Sequence, residues 1–470
     1  MDWAISNLGN IERTWVVTHI LCPGLVLVSL YRYFNDPLRS VPGPFLAKFT
    51  GAWVLFLDLS GKRSTTIHEL HKKYGHVVRV GPKQLCFASP RALKDIYGAN
   101  SKYPKAPIYE ALGFKSVFTT RNRDDYRVMK KRILPSFSPA AVAEIEPFVH
   151  RQVENLIKCL DKRVDEPLDI LPWFRMLALG VVGEKHASSI IQPREGFAAD
   201  SFGGLENEKT PELLHHIDEV FPALWFWWMF PTLSTILQYS PFKPVRNFLR
   251  AAEDFKKDDI GVIEELTNLV FAGTDTTGNT LTYLFWELSH HPEWQARLHE
   301  ELKEAVGDQT SYEYEAISKL PLLDAVVQEI LRLRPAAPSG LQRLSSENGG
   351  VIDGIAVPPN VIISCQALSS QRDPTIFPEP DRFNPQRWID GGESGTLELM
   401  REQIIVFGKG ARACLGRNIA IMEIKCATAA MARRYKVEIG SPTTDDDMEM
   451  MDFTVLIPKG QKCVLRLTRV

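Results

Sequence analysis

FGKGARACLGR, Phe407 to Arg417, is the stretch on which the reading of this 470-residue chain turns. Gly408 and Gly410 permit a tight loop, a single cysteine follows at 414, and Gly416 precedes an apolar run, NIAIMEIKCATAAMARRY, with helical periodicity. A cysteine at a helix N-terminus has its thiolate stabilised by free backbone N–H groups and by the positive end of the macrodipole. A lone cysteine in a turn is ordinarily structural. The flanking phenylalanine, the three glycines and Arg412 set this one apart.

A thiolate so held can serve as the axial ligand of a haem iron and push electron density onto it. Arg412, two residues earlier, can reach a haem propionate. The segment resembles the haem-binding loop of the cytochrome P450 family, Phe-x-x-Gly-x-Arg-x-Cys-x-Gly. Phe407, Gly410, Arg412, Cys414 and Gly416 fill every fixed position. The resemblance extends over nearly the whole chain. It implies a mainly α fold with small peripheral β-sheets, a single catalytic domain over residues 36–470, and heme b as cofactor. Cys414 would be the iron ligand, with Phe407 and Gly410 shaping the loop that holds it.

Two further motifs extend the likeness. Glu329-Ile-Leu-Arg332 places two opposite charges on one helix face. The resemblance implies a structural network completed by an arginine from a later segment, where PDRF and PQRW supply Arg382 and Arg387. AGTDTT, Ala272 to Thr277, lies in an apolar helical stretch starting near Ile260. Ala272 and Gly273 would let the helix backbone approach a flat cofactor closely. A threonine hydroxyl bonded back to a carbonyl can loosen the helix. By resemblance, Asp275 and Thr276 are the acid and alcohol that manage proton delivery during oxygen activation.

Haem propionates need donors. By similarity Tyr126 and Lys130 stand where the family commonly has Trp or His and then Arg. Lysine offers a point charge rather than a planar fork. Arg343, after PAAPSGLQ, is the better propionate partner, whereas Gln371 stands where related sequences often have His. The resemblance puts pocket walls at residues 105–120, around Phe271 and Ala272, at 336–341 and near Phe453-Thr454. Their small and apolar residues suit a lipophilic small molecule.

The net charge of −2 leaves no basic footprint, and no nucleic-acid motif is present, so nucleic acid is excluded as a partner. Seven scattered cysteines in a chain this long do not form a disulfide scaffold. TWVVTHILCPGLVLVSLY, Thr14 to Tyr31, contains no charged residue and is just long enough to span a bilayer. Trp3, Trp15, Tyr31 and Tyr33 flank its densest part as interfacial aromatics would. One N-terminal transmembrane helix within residues 1–35 is therefore expected, with the catalytic domain on the cytoplasmic face of the endoplasmic reticulum membrane. SVPGPF, 40–45, makes a stiff hinge after it.

No Gly-rich dinucleotide loop follows a strand, so electrons must come from a partner. The family's microsomal members use NADPH-cytochrome P450 reductase. Lys130, Lys131, Arg132, Arg417 and Lys425 are the expected docking cations. FPALWFWWMFP, 221–231, is either core or a membrane-dipping patch. Between Phe255 and Ile260 the chain is shorter than its relatives usually are. The expected reaction inserts one oxygen atom of O2 into a lipophilic molecule, in the style of fungal secondary-metabolite members. The rivals are a reductase-independent haem-thiolate isomerase or dehydratase and a shortened, non-catalytic haem protein.

Overall fold

In the computed structural model, which describes residues 27, 31, 34–111, 115–190, 204–211, 214, 226, 231–246, 261–307 and 313–470, local signals set the ends of the elements. Arg63–Tyr74 is a helix (α1) closed by Gly75, whose φ of 91° suits glycine. Val77–Gly81 (β1) and Gln84–Phe87 (β2) pair antiparallel. Ser89 caps Pro90–Tyr97 (α2), its hydroxyl accepting from the Ala92 amide at 3.1 Å. Asn122 caps Arg123–Ile133 (α3) in the same way.

The helices Glu146–Asp161 (α4), Leu171–Ile190 (α5), Gly261–His290 (α6), Pro292–Val306 (α7) and Pro321–Leu333 (α8) build the body, with the short strand Pro167–Asp169 (β3) between the first two. Arg343–Leu344 (β4), Gly350–Ile352 (β5), Ile355–Val357 (β6) and Ile362–Cys365 (β7) follow, then Gln386–Ser394 (α9) and Arg417–Arg434 (α10). Tyr435–Ile439 (β8), Met450–Phe453 (β9), Val455–Pro458 (β10) and Val464–Arg469 (β11) close the chain.

The main core lies among the helices: Val153 and Leu156 of α4, Leu177 of α5, Phe285 of α6, Leu298 of α7 and Ile330 of α8 are all buried in it. Each such side chain contributes about 1.5–3 kcal/mol when removed from water. The sheets are small, in the orders β1-β2-β7-β4 and β3-β11-β8, with two hairpins, β5-β6 and β9-β10. The mainly helical body with small sheets agrees with the expectation.

At about 1.5 Å per residue, α6 runs roughly 45 Å through this core. It crosses α5 at two glycines. A Cβ on Gly273 would stand 2.5 Å from Val182 Cγ2, and one on Gly278 would stand 3.0 Å from Arg175 Cα. Gly273, expected to lie against a flat cofactor, is also required by this crossing, since a side chain there would meet Val182.

The expected N-terminal span and the aromatic segment 221–231 lie almost wholly outside the described residues, as does the short segment 255–260. Among the described residues, no helix is long and apolar enough to cross a membrane.

Candidate functional site

The cysteine loop folds as its glycines require. Gly408 and Gly410 both have φ of 64°, and a Cβ on Gly410 would meet the Tyr97 carbonyl oxygen at 2.3 Å. The Cys414 amide donates to the Phe407 carbonyl at 2.7 Å, closing the loop, and Gly416 caps α10. Burial pushes the Cys414 thiol pKa up, while the Gly416 and Arg417 amides, hydrogen-bonded to the sulfur, pull it down, as does the Arg417 charge. Yet Cys414 is accessible.

Cations gather beside this loop. The extended segment 104–106 runs along β4: the Leu344 amide donates to the Pro104 carbonyl at 2.8 Å, and Lys105 pairs in register with Arg343. Arg343 and Lys105 are both buried. Burial, and then the neighbouring Arg343 and Arg412, hold the Lys105 ammonium well below its ordinary pKa. Burial lowers Arg412 to about 10, with Arg343 adding to the fall against the opposing pull of Tyr126. No carboxylate of a described residue forms an ion pair with any of the three. Arg343 and Arg412 also line a cleft of about 510 Å³ together with Tyr97 and Tyr126. Two buried cations and a half-buried one, without a carboxylate partner among the described residues, fit a ligand that brings its own carboxylates, as a haem does.

Lys105 was missed from sequence. Its signal is a lone cation in the Pro-flanked run YPKAP, which favours an extended segment. Tyr126 and Lys130, expected at the propionates, have another partner here. The Tyr126 hydroxyl and the Lys130 ammonium donate to the Ala411 carbonyl at 2.5 and 2.8 Å, and the Arg412 guanidinium lies 3.4 Å from the Tyr126 ring centroid. Helix α3 therefore braces the cysteine loop from outside.

On α6, Ala272 is exposed although Val270, Phe271 and Thr274 around it are buried. Thr276 shares that face, one turn on, and its hydroxyl donates to the Ala272 carbonyl at 2.6 Å. Asp275 points elsewhere, its carboxylate accepting from Arg175 Nε of α5 at 2.9 Å. The pocket segments expected at 336–341 and 453–454 are tied to α6. Asn279 Nδ2 donates to the Leu456 carbonyl, the Leu456 amide donates to the Ala336 carbonyl (each 2.8 Å), and Ser339 donates to Asp452.

Glu329 and Arg332 form a bidentate pair, both contacts at 2.8 Å, with neither side chain exposed. Of the two arginines offered by the sequence, Arg387 completes the network, donating to Glu329 Oε1 at 3.1 Å. Arg382 pairs with Glu379 at the surface instead. Trp388 Nε1 and the Asn384 amide donate to the same carboxylate at 2.9 Å. Burial raises the Glu329 pKa, but Arg332 and Arg387 outweigh it and hold the group below its ordinary value. Gln371 is likewise structural: it donates to the Leu331 and Arg332 carbonyls and accepts from the Ile405 amide. Lys425, expected among docking cations, is buried and paired with Asp324 at 2.7 Å.

Comparison with known proteins agrees with this architecture. The cytochrome P450 family model matches residues 41–265 and 245–464. Cytochrome P450 monooxygenase tazI of Aspergillus terreus is 30% identical, covering 94% of this chain and 96% of its own. That match runs over 494 positions, more than the 470 residues here, so the relative has positions with no counterpart in this chain. Cytochrome P450 monooxygenase stcB of Emericella nidulans is 28% identical over 93% of this chain and 89% of its own. Cytochrome P450 monooxygenase aflV of Aspergillus parasiticus is 27% identical over 99% and 97%. With the family model matching both halves and the cysteine loop complete, this chain belongs to the cytochrome P450 family.

Proposed function

We propose that Cys414 is the iron ligand of a haem-dependent monooxygenase whose substrate is a lipophilic small molecule of secondary metabolism. The observation that carries this reading is the accessible Cys414 sulfur, hydrogen-bonded by two amides, beside the buried Lys105 and Arg343 and the half-buried Arg412, none of them paired with a carboxylate of a described residue. When bound, the haem supplies the iron chemistry that activates O2. The chain's own residues do the rest. Arg343, Arg412 and Lys105 would neutralise the two propionates, and α3 holds the loop through Ala411. The face of α6 that carries the exposed Ala272 and Thr276 would border the cofactor. The Thr276 hydroxyl, already bonded to the Ala272 carbonyl, is placed to pass a proton, and Asp275 next to it is the acid.

Electrons come from NADPH-cytochrome P450 reductase, docking on the cysteine side near Lys130, Lys131, Arg132 and Arg417. Residence at the endoplasmic reticulum membrane, through a span within residues 1–35, is supported by Phe45, Leu46, Phe56 and Leu59, large apolar side chains left exposed on the described segment that follows.

The carbon-monoxide difference spectrum of the reduced protein tests the ligand. Cys414→Ala should abolish the thiolate-type band, and its survival in that variant would overturn the assignment. Thr276→Ala should keep the band but lower product formed per NADPH. A normal yield would remove Thr276 from proton handling.

A further inference from the structure

Ser339 carries the only polar side chain in the run AAPSGL, 336–341. The backbone beside it has little freedom. Gly340 lies so close to β7 that an added Cβ would stand 2.6 Å from Ser364 Cβ and 2.8 Å from the Cys365 carbonyl oxygen. Two links cross from this segment to the β9-β10 hairpin. In one, the Leu456 amide donates to the Ala336 carbonyl at 2.8 Å. In the other, the Ser339 hydroxyl donates to Oδ2 of Asp452. Asp452 and Leu456 pair in register across the hairpin, so the segment is tied to both of its strands.

Asp452 is only 5% exposed, and a carboxylate that deep must be answered by donors. Its Oδ1 accepts from the Thr454 amide at 3.3 Å, two residues on, and its own amide donates to the Gly61 carbonyl at 2.8 Å. The buried Arg63 adds positive charge beside it. Thr454 forms the tip of the hairpin with φ of 81°, a conformation unfavourable for a β-branched residue. The same carboxylate thus holds Ser339 and the strained tip, while the turn at Gly61 fixes its strand from outside.

We propose that Asp452 is a specificity-determining positioning residue: it locks segment 336–341 and the hairpin tip into one wall, and it draws the segment's only hydroxyl away from the space that substrate occupies. This rests on the reading of both segments as pocket walls. The physical gain is preorganisation. A wall already held in place costs no ordering when a long apolar molecule packs on it. With its only hydroxyl spent on Asp452, segment 336–341 has no side-chain donor to offer, which favours a substrate whose portion there carries no polar group.

Absorption titration of the haem-loaded, full-length protein tests this without turnover, with imidazole and 1-dodecylimidazole as probes. Both ligate iron through the same ring nitrogen, and only the second has a chain long enough to lie on the walls. Ser339→Ala should raise the Kd of 1-dodecylimidazole about three- to ten-fold, the worth of one hydrogen bond, and leave that of imidazole unchanged. Ser339→Thr, which keeps the hydroxyl, should restore the original value. Asp452→Leu should weaken 1-dodecylimidazole at least as much, and adding Ser339→Ala to it should change nothing more.

If Ser339→Ala binds 1-dodecylimidazole as the unaltered protein does while Thr454→Trp binds it poorly, the wall stands and the lock is wrong. If Thr454→Trp also leaves that affinity unchanged, the pocket reading itself fails. Equal weakening of both probes in Ser339→Ala, or additive effects of the two substitutions, marks the contact as merely structural and likewise overturns the proposal. Should Asp452→Leu fail to load haem, the two Ser339 variants decide alone.

Discussion

Glu423 lies on α10, the helix that begins three residues after Cys414, and its carboxyl is buried with one oxygen lacking any hydrogen-bond partner. Among the described residues no cation pairs with it, and nearby Lys425 is engaged by Asp324 and the Ser318 carbonyl. Burial alone pushes its pKa up from 4.5 to about 8. A raised acid stabilises the fold fully only below its unfolded pKa, because above it the unfolded chain releases a proton that the folded chain retains. The loss therefore develops between pH 4.5 and 8, at about 1.4 kcal/mol per pH unit, and reaches about 3 kcal/mol by pH 7.

Glu423→Gln keeps the shape and removes the titration. At roughly 1 kcal/mol per degree for a chain of this size, its melting temperature relative to the unaltered protein should rise by about 3 °C between pH 4.5 and pH 7. Paired thermal scans at matched rate across that range are the assay. A difference between the two proteins that stays flat with pH would refute the reasoning, whatever its absolute size.

Lys105→Met removes a buried cation repelled by Arg343 and Arg412 along with its hydrogen bond to the Phe118 carbonyl, so the melting temperature of the haem-free protein should change little, while transfer of haem to a scavenger apoprotein quickens. Unchanged haem transfer would take Lys105 out of the propionate site. Arg387→Met removes one of the two arginines paired with Glu329, leaving Arg332 in place, and should cost about 1.5–3 kcal/mol, whereas Arg382→Met, at the surface, should cost under about 1 kcal/mol. Similar melting temperatures for the two variants would contradict the network described. His68 and His71 are held down to about 4, mainly by burial. A depressed histidine stays neutral in the fold while the unfolded chain takes up a proton, so stability is lost as pH falls from 6.5 towards 4, by about 2 kcal/mol each at pH 5. His71→Gln should flatten that acid limb in a urea titration series, and an unaltered slope would count against it.

What the sequence made legible was local. Ser89-Pro90 started a helix because a hydroxyl cap and a first-turn proline act within four residues, and Gly75 ended one because its backbone needs a positive φ. The cysteine loop was legible for the same reason, since its glycines, carbonyls and amides satisfy one another within ten residues. Partners across the fold were not. Lys105 meets Arg343 only because residues 104–106 lie along β4, and Arg387 rather than Arg382 reaches Glu329 because α9 begins where it does.

Gly273 shows how one residue can satisfy a pattern for a different cause. Its place in AGTDTT suggested close approach to a flat cofactor, yet the atom in the way of a side chain belongs to Val182. Both causes ask for the smallest residue, so composition alone cannot separate them. The direction of the missing Cβ establishes the packing cause, and the same close approach that Gly273 and Gly278 allow brings Arg175 within reach of Asp275. Widening it with Gly278→Ala should therefore disturb the ion pair along with the packing.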